Sequence, residues 1–134
     1  MSKKNRIPEP KIPNNKIKFS FEFYDTSCKY CLSNWGEGKI AAALGRLQDI
    51  NSKTFDDLRR ESVVYHFNSV DWSKTIERSG FPLAVANELE PFHFSLLGVN
   101  GQKARVFGAY SQGTFYIVWF DLNHVIWPTL LKNT

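Results

Sequence analysis

Alternating apolar and polar residues mark the first segment of the chain that we expect to be ordered. From Lys16 to Phe23 every second position is apolar, and these positions are Ile17, Phe19, Phe21 and Phe23. A period of two is typical of a β-strand that has one face on the core and the other in water. The pattern therefore predicts a first strand, which the polar residues 25–27 end.

The periodicity then changes to that of a helix. Within residues 37–50, apolar side chains recur at positions i, i+4 and i+7, namely Ile40, Leu44 and Leu47. This spacing places them on one face of an α-helix. Thr54 followed by Asp57 resembles a capping box, which begins a helix. A short second helix is therefore predicted, and it should bury Phe55 and Leu58.

Strand signals return in the second half of the chain. Residues 63–70 are β-branched and aromatic, which predicts a second strand. Residues 71–90 suit either a loop or short helical turns. Two further strands are predicted at residues 92–97 and 104–110, because Asn100-Gly101 between them is typical of a type I′ turn, in which both central residues need positive φ.

Residues 114–120 are the most apolar segment, and they follow a glycine-containing turn at residues 111–113. Strict alternation would place Tyr116, Val118 and Phe120 on one face and Phe115, Ile117 and Trp119 on the other. A strand that is apolar on both faces is usually central in its sheet. Pro128 is expected to end this meander.

The predicted order is β-α-α-β, a loop or helix, then β-β-β. This order indicates an α+β domain: an antiparallel sheet with a C-terminal β-meander, and an N-terminal strand and helical hairpin packed on one face. A chain of 134 residues suits one domain, which we assign to residues 16–134. Residues 1–15 carry three prolines among polar residues and are expected to be a disordered, basic, Pro-rich tail.

The net charge of +4 is distributed unevenly. Six of the 17 basic residues and one of the 13 acidic residues lie within positions 1–18, so the rest of the chain carries 11 basic and 12 acidic residues. A basic segment attracts nucleic acid by long-range electrostatics, and here Lys3, Lys4 and Arg6 are the candidates. A merely solubilising terminus is the alternative.

Targeting signals are not evident in the sequence. No apolar run approaches the roughly 20 residues that a membrane-spanning helix needs. The N-terminus lacks the apolar region of a secretory signal, and the chain has only two cysteines. We therefore expect a cytoplasmic protein with reduced cysteines and no membrane partner.

Three polar residues near the final strands, Arg105, Asp121 and His124, form the main candidate site, and Lys103 lies beside them. Lys103 and Arg105 project from the same face of a strand, Asp121 directly follows the apolar strand, and His124 comes three residues later. Arginine can hold a phosphate and stabilise transition-state charge, histidine transfers protons near neutral pH, and aspartate can orient the imidazole ring or take a proton. These residue types together predict a phosphodiester site. The structural alternative is a strand-end turn satisfied by the backbone.

Other candidate residues receive weaker support. His66, in the second predicted strand, could join the site, whereas His93 is more typical of a buried sheet histidine. Cys28 and Cys31 form a single C-x-x-C motif, too few ligands for tetrahedral zinc and without the βαβ context of a thioredoxin-like site. We favour two small buried apolar residues there. No phosphate-binding loop, dinucleotide fingerprint or common hydrolase motif is present, so neither a metal site nor a cofactor is predicted.

The segments Arg105–Gly108 and Thr114–His124 resemble the C-terminal meander of the RelE/ParE toxin superfamily, as does the upstream order of elements, over about half of the chain. The resemblance implies a ribosome-dependent mRNA endonuclease, or a gyrase-directed relative, held inactive by an antitoxin peptide. By position, Arg105 would bind the scissile phosphate and His124 would serve as acid or base, with Asp121 beside it. The partners implied are RNA, the ribosome and an antitoxin.

Two alternatives remain open at this point. The chain could be a non-catalytic protein-binding module of a mobile element with the same fold, since its aromatic residues, including Trp35, Trp72 and Trp127, exceed what a small domain needs. It could also be a thiol redox or metal protein that uses the C-x-x-C pair. The sequence does not determine the oligomeric state.

Overall fold

Five strands form one sheet in the part of the chain that the structure, a computed structural model, describes: residues 15–96 and 104–128. They are β1 (Lys18–Ser20), β2 (Asn68–Ser69), β3 (Glu90–Ser95), β4 (Arg105–Ser111) and β5 (Thr114–Asp121). Their order in the sheet is β1-β5-β4-β3-β2. The C-terminal meander is antiparallel, whereas β1 runs parallel to β5. The α+β class is confirmed, and the sheet is mixed because of β1.

The predicted helical hairpin is present as α1 (Glu37–Ile50) and α2 (Phe55–Arg60). The capping box of α2 is also confirmed: Thr54 Oγ1 accepts from the Asp57 amide, and the Asp57 carboxylate accepts from the Thr54 amide, both at 3.0 Å. The face that α1 buries differs from the prediction, because Leu44 is 54% exposed. The stripe that packs on the sheet is instead Ala43, Leu47 and Ile50. None of the helices within the described residues is long and apolar enough to cross a membrane.

The strand predicted at residues 63–70 is wrong over its first half. Ser62–Tyr65 forms a third helix, α3, and only Asn68–Ser69 pairs, at the edge of the sheet beside β3. The Glu61 carbonyl accepts from the Val64 and Tyr65 amides, so helical hydrogen bonding resumes directly after α2. His66 then takes a left-handed conformation (φ 50°) that ends the helix. The first strand is also shorter than predicted, since pairing ends at Ser20.

Both faces of the sheet are buried, and each carries its own core. Beneath the helices the first core includes Ile17, Leu58, Phe94, Phe115 and Ile117. The second core includes Val70, Phe81, Phe107, Val118, Trp119 and Ile126, and segments of irregular structure supply the residues outside the sheet. Trp35 lies in the first core, while Trp72 and Trp127 pack against the second. The high aromatic content is thus used to fill two cores.

A β-bulge in the meander decides which residues face each other. Gln112 and Gly113, both with positive φ, connect β4 to β5, as the predicted turn requires. Beyond that turn Gly108 pairs with Ile117, but Phe107 pairs with Trp119, so β5 contains one extra residue. Val118 and Trp119 therefore both face the second core, where strict alternation had separated them. In an unbulged ladder Arg105 would pair with Phe120, whereas here it pairs with Asp121. The turn predicted at Asn100-Gly101 lies outside the described residues.

Candidate functional site

Polar residues from three adjacent strands line up on the second-core face of the sheet. In the register, Ser95 of β3 is opposite Arg105 of β4, and Arg105 is opposite Asp121 of β5. Directly opposite residues in a sheet project to the same side. His93 lies two residues before Ser95 and stacks on Phe107 of the second core, with ring centroids 5.1 Å apart. A polar strip therefore interrupts an otherwise apolar face.

Asp121 is buried at the end of β5. Its side chain is 2% exposed, and its two oxygens accept hydrogen bonds from the Val125 amide (3.0 Å) and the Ile126 amide (2.8 Å). Burial raises the pKa of the Asp121 carboxyl above its ordinary value, while these donors and the neighbouring His124 and Arg105 act in the opposite direction. Asp121 therefore holds the turn that follows β5, and the proton-accepting role considered for it from sequence does not suit its position.

His124 sits within the turn that Asp121 holds. Its backbone is left-handed, with φ of 60°, and its side chain is half-buried. His124 and Arg105 both influence the pKa values of Asp121 and His93, so both side chains lie within electrostatic reach of the same two residues. The structure thus brings together three of the four predicted catalytic residues: Arg105, Asp121 and His124.

Arg105 is half-buried, and its charge is only weakly compensated. Its Nη1 donates to the carbonyl of Ala104 at 3.1 Å, while its Nε has no hydrogen-bond partner among the described residues. None of the ion pairs found within residues 15–96 and 104–128 involves Arg105. Burial lowers the pKa of the guanidinium, and Asp121 opposes that shift. The half-buried guanidinium is therefore a candidate ligand for an anion, although its unpaired Nε is itself buried.

Two buried residues of the strip, His93 and Ser95, were missed as site residues by sequence reasoning. The Nδ1 of His93 and the Oγ of Ser95 make no hydrogen bond to any described residue, although the two side chains are only 9% and 0% exposed. Burial, with added repulsion from Arg105, His124 and His66, lowers the pKa of His93 to about 3. Buried polar atoms are nearly always satisfied, so these two need explaining. The sequence signal was present: His93 and Ser95 alternate with the apolar Phe92, Phe94 and Leu96.

The remaining predicted site residues lie elsewhere. His66 ends α3 in a left-handed conformation, near the edge strand, and reaches the site only through its electrostatic effect on His93. Lys103, Lys3, Lys4 and Arg6, predicted to bind nucleic acid, lie outside the described residues.

The C-x-x-C motif contradicts our expectation of two reduced, buried apolar residues. Cys28 and Cys31 form a disulfide, with their Cα atoms 4.8 Å apart, and Cys28 is exposed. The pair lines a cleft of about 200 Å³, whose other residues include Trp35 and the end of β5 with the following turn. Within the described stretches, no three or more His, Cys, Asp or Glu side chains are grouped as a metal site would require.

Comparisons with known proteins add no family to this description. Neither protein-family models, nor curated proteins, nor solved structures gave a match to the chain. The resemblance to RelE/ParE toxins therefore stays a prediction, and the function must be argued from the residues themselves.

Proposed function

We propose that this protein is an endoribonuclease of the kind found among RelE-type toxins, in which Arg105 binds the scissile phosphate and His124 transfers the proton. The observation that carries the proposal is the bulged register of β5. It sets Asp121 opposite Arg105, and both carboxylate oxygens of Asp121 hold the turn that presents His124. The guanidinium of Arg105 and the imidazole of His124 both influence the pKa of this buried carboxylate.

Arg105 suits the role of a phosphate ligand. A guanidinium can donate two parallel hydrogen bonds to a phosphate. The Nε of Arg105 is itself buried, so its Nη atoms would have to make these bonds. Partial burial strengthens its interaction with an anion, because the local dielectric constant is lower than that of water. As the phosphorus passes through a five-coordinate arrangement, Arg105 would stabilise the additional negative charge on the phosphoryl oxygens.

His124 would supply the acid–base chemistry. RNA carries a 2′-hydroxyl beside each phosphate, and removal of its proton by an imidazole makes the oxygen a nucleophile. Attack on phosphorus forms a 2′,3′-cyclic phosphate and releases the 5′-oxygen of the next nucleotide, which takes up a proton. In this scheme Asp121 is a positioning residue, since its oxygens are engaged with the backbone. The substrate class is therefore RNA and excludes DNA, which lacks the 2′-hydroxyl.

The partners in this proposal follow from charge. Outside positions 1–18 the chain carries nearly equal numbers of basic and acidic residues, so its long-range attraction to RNA would come from the basic segment. The same basic segment would have to supply the attraction to the ribosome, because ribosomal RNA is also negatively charged. An antitoxin peptide that covers Arg105 would keep the protein inactive.

The test is inducible expression in a bacterium, with growth and the 5′ ends of cellular mRNA followed together. The wild-type chain should arrest growth and create new mRNA ends. Replacement of His124 by Ala should reduce cleavage by about 10²–10⁴-fold, as loss of general acid–base catalysis does, and Arg105→Gln should have a comparable effect. Matched controls are His66→Ala and the exposed Arg78→Ala, which should keep full activity.

Two results would overturn the proposal. One is a His124→Ala variant that is as active as the wild type, and the other is a folded wild-type chain with no RNA cleavage. The second result would favour the other candidate, a non-catalytic protein-binding module. One observation supports that candidate: Val63 of α3 is 83% exposed, and its neighbour Val64 is exposed as well.

A further inference from the structure

The Cys28–Cys31 disulfide closes a very short loop at the protein surface. The two cysteines are separated by three positions, Cys28 is exposed and Cys31 is half-buried. A disulfide stabilises a fold mainly by restricting the unfolded chain, and the effect grows with the length of the closed loop. This disulfide therefore restricts the unfolded chain little, while its exposure leaves it open to attack by thiols.

The segment that contains the disulfide is attached to one edge of β5. β1 pairs with residues 114–116 on that edge, and the segment 25–30 continues along it. The Asp25 amide donates to the Val118 carbonyl and the Phe120 amide donates to the Tyr30 carbonyl, both at 3.1 Å. Trp119 Nε1 also donates to Asp25 Oδ2, at 2.7 Å. Tyr30 lies between the two cysteines in sequence, so the disulfide constrains the residue that bonds to the end of β5.

The disulfide also faces the turn that carries His124. Both cysteines line the same cleft as Asp121, Asn123 and Val125. A change in the geometry of the 28–31 loop would thus affect two places. One is the Phe120 amide, which is bonded to Tyr30, and the other is the turn after β5, which lies across the cleft.

We propose that Cys28 and Cys31 are a reversible thiol–disulfide exchange site for dithiol reductants, and that the state of this pair sets the order of the end of β5 and of the turn after it. This inference does not depend on ribonuclease activity, because the thiol state and the backbone order are measured without RNA. It explains why a short, exposed disulfide is joined by hydrogen bonds to the end of an otherwise buried strand.

The exchange proceeds in two balanced steps. A thiolate of the dithiol attacks Sγ of Cys28, the more exposed residue of the pair, and forms a mixed disulfide as the bond to Cys31 breaks. Cys31 leaves as a thiolate and takes a proton from water. The second thiol of the reductant, once deprotonated, attacks the mixed disulfide and releases Cys28 as a thiolate that is then protonated. Two electrons pass to the cysteine pair, and the reductant becomes a cyclic disulfide.

Ser33 indicates which cysteine leaves. Its Oγ lies 3.0 Å from Sγ of Cys31. A disulfide sulfur carries no hydrogen, so in the oxidised protein the serine hydroxyl is the donor. The same hydroxyl would donate to the Cys31 thiolate as it forms, and hydrogen bonds to a charged acceptor are stronger than those to a neutral one. Ser33 is therefore proposed as a positioning residue that favours Cys31 as the leaving group.

The experiment uses the full chain in glutathione buffers and in dithiothreitol, with alkylation and mass spectrometry to count free thiols. Amide hydrogen exchange is then measured by NMR for both states. Reduction should accelerate exchange of the Phe120 amide at least tenfold and should leave the Leu58 amide, in α2, unchanged. Failure of the pair to oxidise in glutathione disulfide, or equal exchange of Phe120 in both states, would overturn the proposal.

Variants test the coupling and the chemistry separately. Cys28→Ser and Cys31→Ser should each show rapid Phe120 exchange even in oxidising buffer. Ser33→Ala should form the same disulfide, but its reduction by dithiothreitol should be several-fold slower than in the wild type. Reduction of Ser33→Ala at the wild-type rate would show that the assignment of Cys31 as leaving group is wrong. Should a cysteine variant not fold, the comparison of oxidised with reduced wild type still decides the coupling.

Discussion

Burial of His93 should make the stability of the protein depend on pH. The pKa of His93 falls from its ordinary value of 6.5 to about 3 in the folded protein, chiefly because burial disfavours the charged imidazolium. Below pH 6.5 the unfolded chain binds a proton at this position, whereas the folded protein does so only near pH 3. The free energy of unfolding therefore falls as the pH is lowered through this interval, and it is restored above pH 6.5.

The size of the effect follows from the two pKa values. A difference of one pKa unit corresponds to about 1.4 kcal/mol, so the full interval represents about 5 kcal/mol in the acid limit. Between pH 7.5 and pH 5 the linkage relation predicts a loss of about 2 kcal/mol from His93 alone. The protein carries few other buried ionisable groups within the described residues, Asp121 being the main one. The raised pKa of Asp121 acts in the opposite direction, since it favours the folded state at low pH.

Urea unfolding at pH 7.5 and at pH 5 measures this loss, with fluorescence of the buried Trp119 as the signal. The informative variant is His93→Phe, which keeps an aromatic ring against Phe107 but cannot bind a proton. The wild type should lose about 2 kcal/mol more than His93→Phe between the two pH values. Arg78→Gln is the control, at an exposed residue that does not contribute to the lowered pKa of His93, and it should keep the wild-type loss because His93 is retained. Equal losses in the wild type and in His93→Phe would refute the reasoning.

Three further predictions concern the fold around the site. A Cβ on Gly108 would lie 2.2 Å from the carbonyl oxygen of Tyr116, so Gly108→Ala should destabilise the bulged meander by about 3 kcal/mol in urea unfolding. Gly45 has open space around it, so the control Gly45→Ala should stabilise α1 by about 0.5–1 kcal/mol. An unchanged free energy of unfolding for Gly108→Ala would contradict the close approach. Asp121→Asn replaces one acceptor oxygen by an NH₂ donor that faces a backbone amide hydrogen, so it should lower the free energy of unfolding by about 1–3 kcal/mol. The NMR chemical shifts of the turn after β5 should change as well. Unchanged shifts there would show that Asp121 does not hold the turn. Thr54→Ala should cost about 1 kcal/mol through loss of the α2 cap, measured by thermal unfolding, and an unaltered melting temperature would argue against the capping box.

Local sequence determined the elements whose signals are short-range. The capping box at Thr54 and the helix over residues 37–50 depend on neighbours within a turn or two, and both are present in the structure. The turn at Gln112-Gly113 is equally local, because it needs only two residues that tolerate positive φ. The antiparallel meander follows from such turns, and so does the α+β class.

Segments of mixed propensity were decided by their surroundings. The β-branched Val63 and Val64 favour a strand, yet they lie in a helix because the Glu61 carbonyl continues the hydrogen bonding of α2. The prediction that Leu44 belongs to the buried stripe of α1 was wrong, because positions i+3 and i+4 from Ile40 both neighbour it on a helix and the periodicity alone does not separate them. Contact with the sheet selected Ala43.

The candidate site was also predicted only in part from the sequence. Sequence alone placed Arg105, Asp121 and His124 close to the last two strands, because connected antiparallel strands are neighbours. Which residues face each other depends on strand register, and register is a property of two chain segments packed together. One extra residue in β5 brought Asp121 opposite Arg105, and packing of the second core buried Asp121 and His93. The alternation of apolar and polar residues predicts neither the bulge in β5 nor how deeply Asp121 and His93 are buried. Only the tertiary structure could decide these two features.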